Sequence, residues 1–82
     1  MACLRYYAPL RETIGRESDE AAVSSVGGAL MFIKTRYGRA AYKTAKAALI
    51  VVNGTSINIC RGKKTPLLDD DTVGFLPLSG GG

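Results

Sequence analysis

Apolar and polar positions alternate near the start of the chain. Leu4, Tyr6 and Ala8 fall on one side of the alternation, Arg5 and Tyr7 on the other, the two-residue period of a half-buried strand. The pattern predicts a first strand over Cys3 to Ala8, closed by Pro9, which has no N–H to give to a ladder. Pro9 to Ile14 predicts a short helical turn with proline at a first helical position, stopped by Gly15. Glu17 to Ser24 predicts an edge strand whose apolar residues are small, with only Val23 a strong β-former.

The period then changes. Val26, Leu30, Ile33 and Tyr37 stand at i, i+4, i+7 and i+11, one face of a helix. Ser24 or Ser25 can cap its start, and Gly38 stops it. Gly27 and Gly28 each weaken its first turn by ~1 kcal/mol relative to alanine. The helix is expected over Val26 to Tyr37, with Phe32 widening the core face and Met31 half exposed. Arg39 to Lys46, rich in Ala, Lys and Arg, reads as a solvated connector or a helical turn.

Leu49-Ile50-Val51-Val52 is continuous and largely β-branched, so Ala48 to Val52 is expected to be a strand covered on both faces. Asn53-Gly54 is a hairpin signal because both residues tolerate positive φ. Ser56 to Cys60 returns as a strand. A polar loop follows, Leu67-Leu68 anchors a turn on the core, and Asp69-Asp70-Asp71 forms an acidic turn. Its spacing lacks the alternating ligands and glycine of a calcium loop, so no metal site is expected. Thr72 to Leu78 is the last strand. Strands before and after one main helix pack most economically as an α+β fold, a mixed sheet with that helix across one face.

Composition narrows the function. At 82 residues the chain is one small domain, with 46% apolar and 22% charged residues, an ordinary globular mixture. Lys and Arg outnumber Asp and Glu 11 to 7, too dispersed for a nucleic-acid interface. The longest apolar run is too short to span a membrane, and no secretory leader is visible, so a cytoplasmic protein is expected. The two cysteines, Cys3 and Cys60, occur without any histidine, which excludes the usual four-ligand zinc site. Both are expected to be reduced and to act as small buried hydrophobes. Without histidine or paired carboxylates at a meaningful spacing, no catalytic residue is assigned.

The end of the chain carries the remaining chemistry. Ser79-Gly80-Gly81-Gly82 follows the apolar run from Val73 to Leu78. Residues 1–78 are expected to form the folded domain and 79–82 a flexible glycine tail. Four extended residues reach ~13 Å, and lacking Cβ atoms the stalk can enter a very narrow channel. A frayed end is the plainer reading of the same residues.

Arg5-Tyr6-Tyr7-Ala8 with Leu10-Arg11-Glu12 and Gly15, Val26-Gly27 with Leu30 and Arg36-Tyr37-Gly38, Val52-Asn53-Gly54, and Pro66-Leu67 with Val73, Phe75, Pro77 and Gly81-Gly82 occur in a telling order. In that order they resemble the ubiquitin-like β-grasp sulfur carriers of the MoaD/ThiS type, most of all the small subunit of molybdopterin synthase. The run Phe75-Leu76-Pro77-Leu78 and the third glycine depart from the family's usual ending.

The resemblance implies a carrier rather than an enzyme. An E1-like activating enzyme of the MoeB/ThiF type would use ATP to adenylate the Gly82 carboxylate. A sulfur donor would then leave a thiocarboxylate there. Gly80 and Gly81 would give clearance for the backbone. Phe75, Leu76 and Leu78 would help dock a MoaE-like large subunit, with Phe75 equally suited to the core. No cofactor would be bound by the chain itself. Carriers for thiamine, cysteine or tRNA thiolation, and a ubiquitin-like modifier joined to lysines through Gly82, share these features and stay open. So does an interaction module with an inert tail.

Overall fold

The structure, a computed structural model, describes residues 1–57 and 66–77. Strand β1 (Ala2–Tyr6) leads into the short helix α1 (Leu10–Ile14), then strand β2 (Ser18–Ala21). Helices α2 (Val26–Tyr37) and α3 (Arg39–Ala47) follow, then strands β3 (Leu49–Val52), β4 (Thr55–Ser56) and β5 (Thr72–Leu76). The five strands form one sheet in the order β2-β1-β5-β3-β4. β1 and β5 run parallel at its centre and the other pairs are antiparallel. The expected mixed sheet with a helix across one face is present. Cys60 and most of the second hairpin strand expected over Ser56 to Cys60 lie outside the described residues, as do Leu78 and the 79–82 segment.

Register decides which side chains enter the core. Leu4 pairs with Val73 and Tyr6 with Phe75 across the parallel ladder, while Ile50 pairs with Phe75 across the antiparallel one. All five are buried on the helical side of the sheet. Val26, Ala29, Leu30 and Ile33 of α2 close that layer, the spacing of one helix face. Ser25 caps α2, its Oγ accepting the Gly28 N–H at 3.0 Å. Met31, 51% exposed, points away, and Phe32 packs against the core margin.

In the middle of the chain one open reading is decided and one expectation is corrected. Arg39 to Lys46 is helical and not a connector, part of a full helix of 9 residues rather than a turn, and Gly38, at φ 99°, turns the chain directly from α2 into α3. Ala41 and Ala45, one turn apart, are completely buried and bring α3 close to its neighbours. Alanine has the highest helix propensity but gives little hydrophobic signal, so the sequence leaves helix and connector undecided here. Strand β3 is covered on one face only. Ile50 is buried, whereas Leu49 is 36% exposed and Val51 half-buried.

The hairpin at Asn53-Gly54 forms as its sequence dictates, with φ of 50° and 87°, the double positive φ of a tight hairpin turn. Asn53 also ties that hairpin to β5. Its N–H donates to the Thr72 carbonyl at 2.8 Å and its Oδ1 accepts the Thr72 N–H at 2.9 Å. Its Nδ2 donates to Asp71 Oδ1 at 3.0 Å. Asp71 Oδ2 in turn accepts the Leu68 N–H at 2.8 Å. These hydrogen bonds hold the Asp71 carboxyl below its ordinary 3.8, the backbone bond first and the Asn53 bond second. The acidic turn thus braces the entry to β5. Leu67 anchors it in the core and Leu68 stays exposed.

Candidate functional site: the open sheet face and the exit of the last strand

The side of the sheet away from the helices carries the alternate residues. Arg5 sits beside Gly74 in the parallel ladder, Val51 beside Gly74 and Leu49 beside Leu76 in the antiparallel one. At Gly74 a Cβ would lie 3.2 Å from Leu76 Cδ1 and 3.6 Å from Tyr7 Cε2. Those two side chains therefore converge over a glycine in the central strand. Tyr7, Leu49, Val51 and Leu76 make an apolar surface, flanked by Arg5 and Thr72. A shallow cavity of ≈ 440 Å³ opens on it, lined by Arg5, Tyr7, Val51, Asn53, Thr72 and Leu76 among others. Cys3, on the same face of β1, is a free, half-buried thiol, not the buried hydrophobe expected.

A second cavity of ≈ 360 Å³ lies where β5 ends. Pro9, Leu10, Lys43, Ala47, Leu76 and Pro77 contribute to its walls. The last described residue, Pro77, is exposed at its edge. Both cavities share Tyr7 and Leu76, so apolar surface continues from the open sheet face to the point where the last strand finishes.

The predicted site residues divide between these regions. Phe75 is completely buried, its ring 6.1 Å from that of Tyr6. It belongs to the core, not to a free docking surface, because its pairing with Tyr6 and Ile50 turns it toward the helices. Leu76 is half-buried on the opposite face and keeps area for a partner. Leu78, Gly80, Gly81 and Gly82 lie outside the described residues. The sequence does not single out Tyr7, Leu49 or Val51 as docking residues. The alternation Arg5/Tyr7 marked the first of them, but the continuous β3 run hid the other two.

Behind the sheet, a polar cluster fixes the edge strand. Asp19 of β2 is only 8% exposed. It accepts hydrogen bonds from the Tyr6 hydroxyl at 3.0 Å and from the Tyr37 hydroxyl, and pairs with Arg16 Nε at 3.2 Å. Burial, then the Asp19 bond, raises both tyrosine hydroxyls above their ordinary value, so they stay protonated donors. Among the described residues every buried side-chain N or O has a partner. The cluster is structural: it seats β2 against β1 and the end of α2.

The sequence matches the model of the ThiS family over residues 4–82. The chain belongs to the ThiS family. The match covers the β-grasp core and continues through Gly80, Gly81 and Gly82. Several solved structures share its fold. The small archaeal modifier protein 1 of Methanosarcina acetivorans is 25% identical, with 99% of this chain and 95% of that one aligned and a TM-score of 0.81. A molybdopterin converting factor subunit 1 candidate from Pyrococcus furiosus is 22% identical, covering 93% and 94%, with a TM-score of 0.70. Urm1 of Trypanosoma brucei is 18% identical, covering 99% and 94%, at 0.67. The last two likenesses establish the ubiquitin-like β-grasp fold of this ThiS-family chain and no more. No curated protein sequence matches it significantly. Among the described residues, no helix is long and apolar enough to cross a membrane.

Proposed function

We propose that this chain is a sulfur carrier whose working group is the Gly82 carboxylate, and that it serves as the small subunit of a molybdopterin synthase. The observation that carries the reading is the ThiS-family match, which runs through the terminal glycines. The chemistry follows from what a carboxylate lacks. Its oxygen is a poor leaving group, so the acyl carbon needs activation. Attack of the Gly82 carboxylate on ATP releases pyrophosphate and forms an acyl-adenylate. A donor of sulfide-level sulfur then displaces AMP, leaving a thiocarboxylate, a better nucleophile than the carboxylate at neutral pH. The thiocarboxylate sulfur attacks the pterin precursor, and water cleaves the resulting thioester, leaving sulfur on the pterin and restoring the carboxylate.

The acid–base steps belong to partners: an E1-like activating enzyme and a larger synthase subunit. The continuous apolar surface through Tyr7, Leu49, Val51 and Leu76 is suited to hold them, because a contiguous exposed apolar patch marks an interaction site. Gly80 and Gly81 give the backbone clearance to enter a partner's active site. All these steps are assigned to the cytoplasm.

A second reading has its own support. The likeness to the small archaeal modifier protein 1, at a TM-score of 0.81, favours use of Gly82 in an isopeptide bond to lysine. Both uses share the adenylate and differ in the attacking group.

Reconstituted loading separates them. With ATP, an E1-like enzyme and a sulfur donor, the intact mass of a carrier shifts by one oxygen exchanged for sulfur. A modifier yields lysine adducts of higher mass. Gly82→Ala or one residue added after Gly82 leaves the fold intact and abolishes loading. Full loading of the extended chain contradicts the proposal.

A further inference from the structure

The acidic residues are unevenly distributed. All seven lie in residues 12–20 and 69–71, so the stretch 21–68 holds none. Within that stretch α2 and α3 carry Lys34, Arg36, Arg39, Lys43 and Lys46. Among the described residues none of the five forms an ion pair, the side-chain ion pair present being Arg16–Asp19.

Helical spacing aligns three of them. Arg39, Lys43 and Lys46 stand at i, i+4 and i+7 on α3, one face, spanning ~10 Å along the axis. All three are exposed, opposite the buried Ala41 and Ala45. On one flank, the Lys34 and Lys46 ammonium groups stand 5.2 and 5.9 Å from the centre of the Tyr42 ring. On the other flank, Lys43, Thr44 and Ala47 form one wall of the ≈ 360 Å³ cavity beside Pro77. The other lining residues include the apolar Pro9, Leu10 and Leu76. A cationic row therefore borders an apolar hollow, with Lys43 common to both.

We propose that this row and hollow form a docking site for an acidic segment of a partner protein, its carboxylates on Arg39, Lys43 and Lys46 and one apolar side chain in the hollow. Charge complementarity selects the acidic partner, since exposed unpaired cations steer and register an oppositely charged surface. The hollow supplies the apolar anchor that interfaces concentrate at their centre. RNA fits less well. Base stacking needs an open aromatic face, whereas Tyr42 is already engaged by two lysines. The site is independent of what Gly82 carries, and it places the bound segment at the edge where β5 ends.

The test uses the unmodified full chain. A fluorescein-labelled polyglutamate peptide with one central leucine is titrated against it by anisotropy, and an unlabelled copy by amide NMR. The peptide should bind in low salt and shift resonances of Arg39–Ala47 and Tyr7–Leu10. Joint Lys43→Glu and Lys46→Glu substitution should weaken binding about tenfold or more, as like charges replace opposite ones. Joint Lys43→Gln and Lys46→Gln substitution should weaken it less. Replacing the leucine by alanine should also weaken it. Circular dichroism confirms that each variant is folded. Shifts centred instead on Arg5 and Val51, indifference to the central leucine, or tighter binding of polyuridylate at the same residues would overturn the proposal. Since no sulfur is loaded, this result stands or falls apart from the carrier function.

Discussion

Phe75 and Leu76 are neighbours in sequence and opposites in structure, and truncating each should separate folding from docking. Phe75 is completely buried, flanked in register by Tyr6 and Ile50, with a ring contact to Tyr6 at 6.1 Å. Phe75→Ala removes most of a buried aromatic side chain and leaves a cavity, at a cost of about 3–5 kcal/mol. A domain of this length holds only about 4–12 kcal/mol in total, from typical stability per residue. The variant should therefore be near the limit of folding, with Tm lowered by roughly 12–40 °C at 4–8 °C per kcal/mol. Leu76 keeps part of its surface in solvent on the other face. Leu76→Ala should cost under about 2 kcal/mol, below the range for fully buried leucines, while weakening partner binding. Urea titration followed by far-UV circular dichroism measures both stabilities. A Phe75→Ala protein within about 1 kcal/mol of the parent would refute the assignment of this side to the core.

Further predictions concern the polar framework. Asp19→Ala leaves the Tyr6 hydroxyl buried without its acceptor and should cost about 1–3 kcal/mol. Tyr6→Phe should cost less, about 0.5–1.5 kcal/mol, because Tyr37 and Arg16 still satisfy Asp19; urea titration ranks the two. Ser25→Ala should lower stability by about 1 kcal/mol through loss of the α2 cap, read from Tm. Asp71 has a depressed folded pKa. Its stabilisation is fully present above the ordinary carboxylate value and is lost as pH falls through the depressed one. The Tm gap between the parent and Asp71→Ala should therefore be constant near neutrality and shrink in acid. A gap that widened in acid would contradict the hydrogen-bond assignment.

Much of this architecture was written in side-chain size and spacing. The stripe from Val26 to Tyr37 specified α2 because large apolar residues recur at the helical period. Asn53-Gly54 specified the hairpin because few other pairs accept two positive φ angles. Helix α3 was legible only as an alternative turn because its inward residues are alanines: their burial removes little apolar area, so periodicity has nothing large to detect. Asp19 escaped for a different reason, since a carboxylate in an edge strand reads as solvated until two tyrosines from distant segments are brought to it. The facing of Phe75 was ambiguous because Val73, Phe75 and Leu76 crowd one strand, and only pairing with β1 and β3 separates inside from outside. Of the site, the glycine ending was legible as composition and as family resemblance. The apolar surface beside it required the sheet register, and the cationic row required α3.

Proteolytic mapping of the loaded protein tests most directly whether sulfur resides on the backbone acyl group of Gly82. After reconstituted loading, the protein is treated with a thiol-alkylating reagent under mild acid, digested, and its peptides weighed. A sulfur carrier should yield an alkylated thiocarboxylate on the peptide ending in Gly82, dependent on ATP, with the Cys3 and Cys60 peptides free of added sulfur. Extra sulfur on either cysteine and an unchanged Gly82 peptide would contradict it.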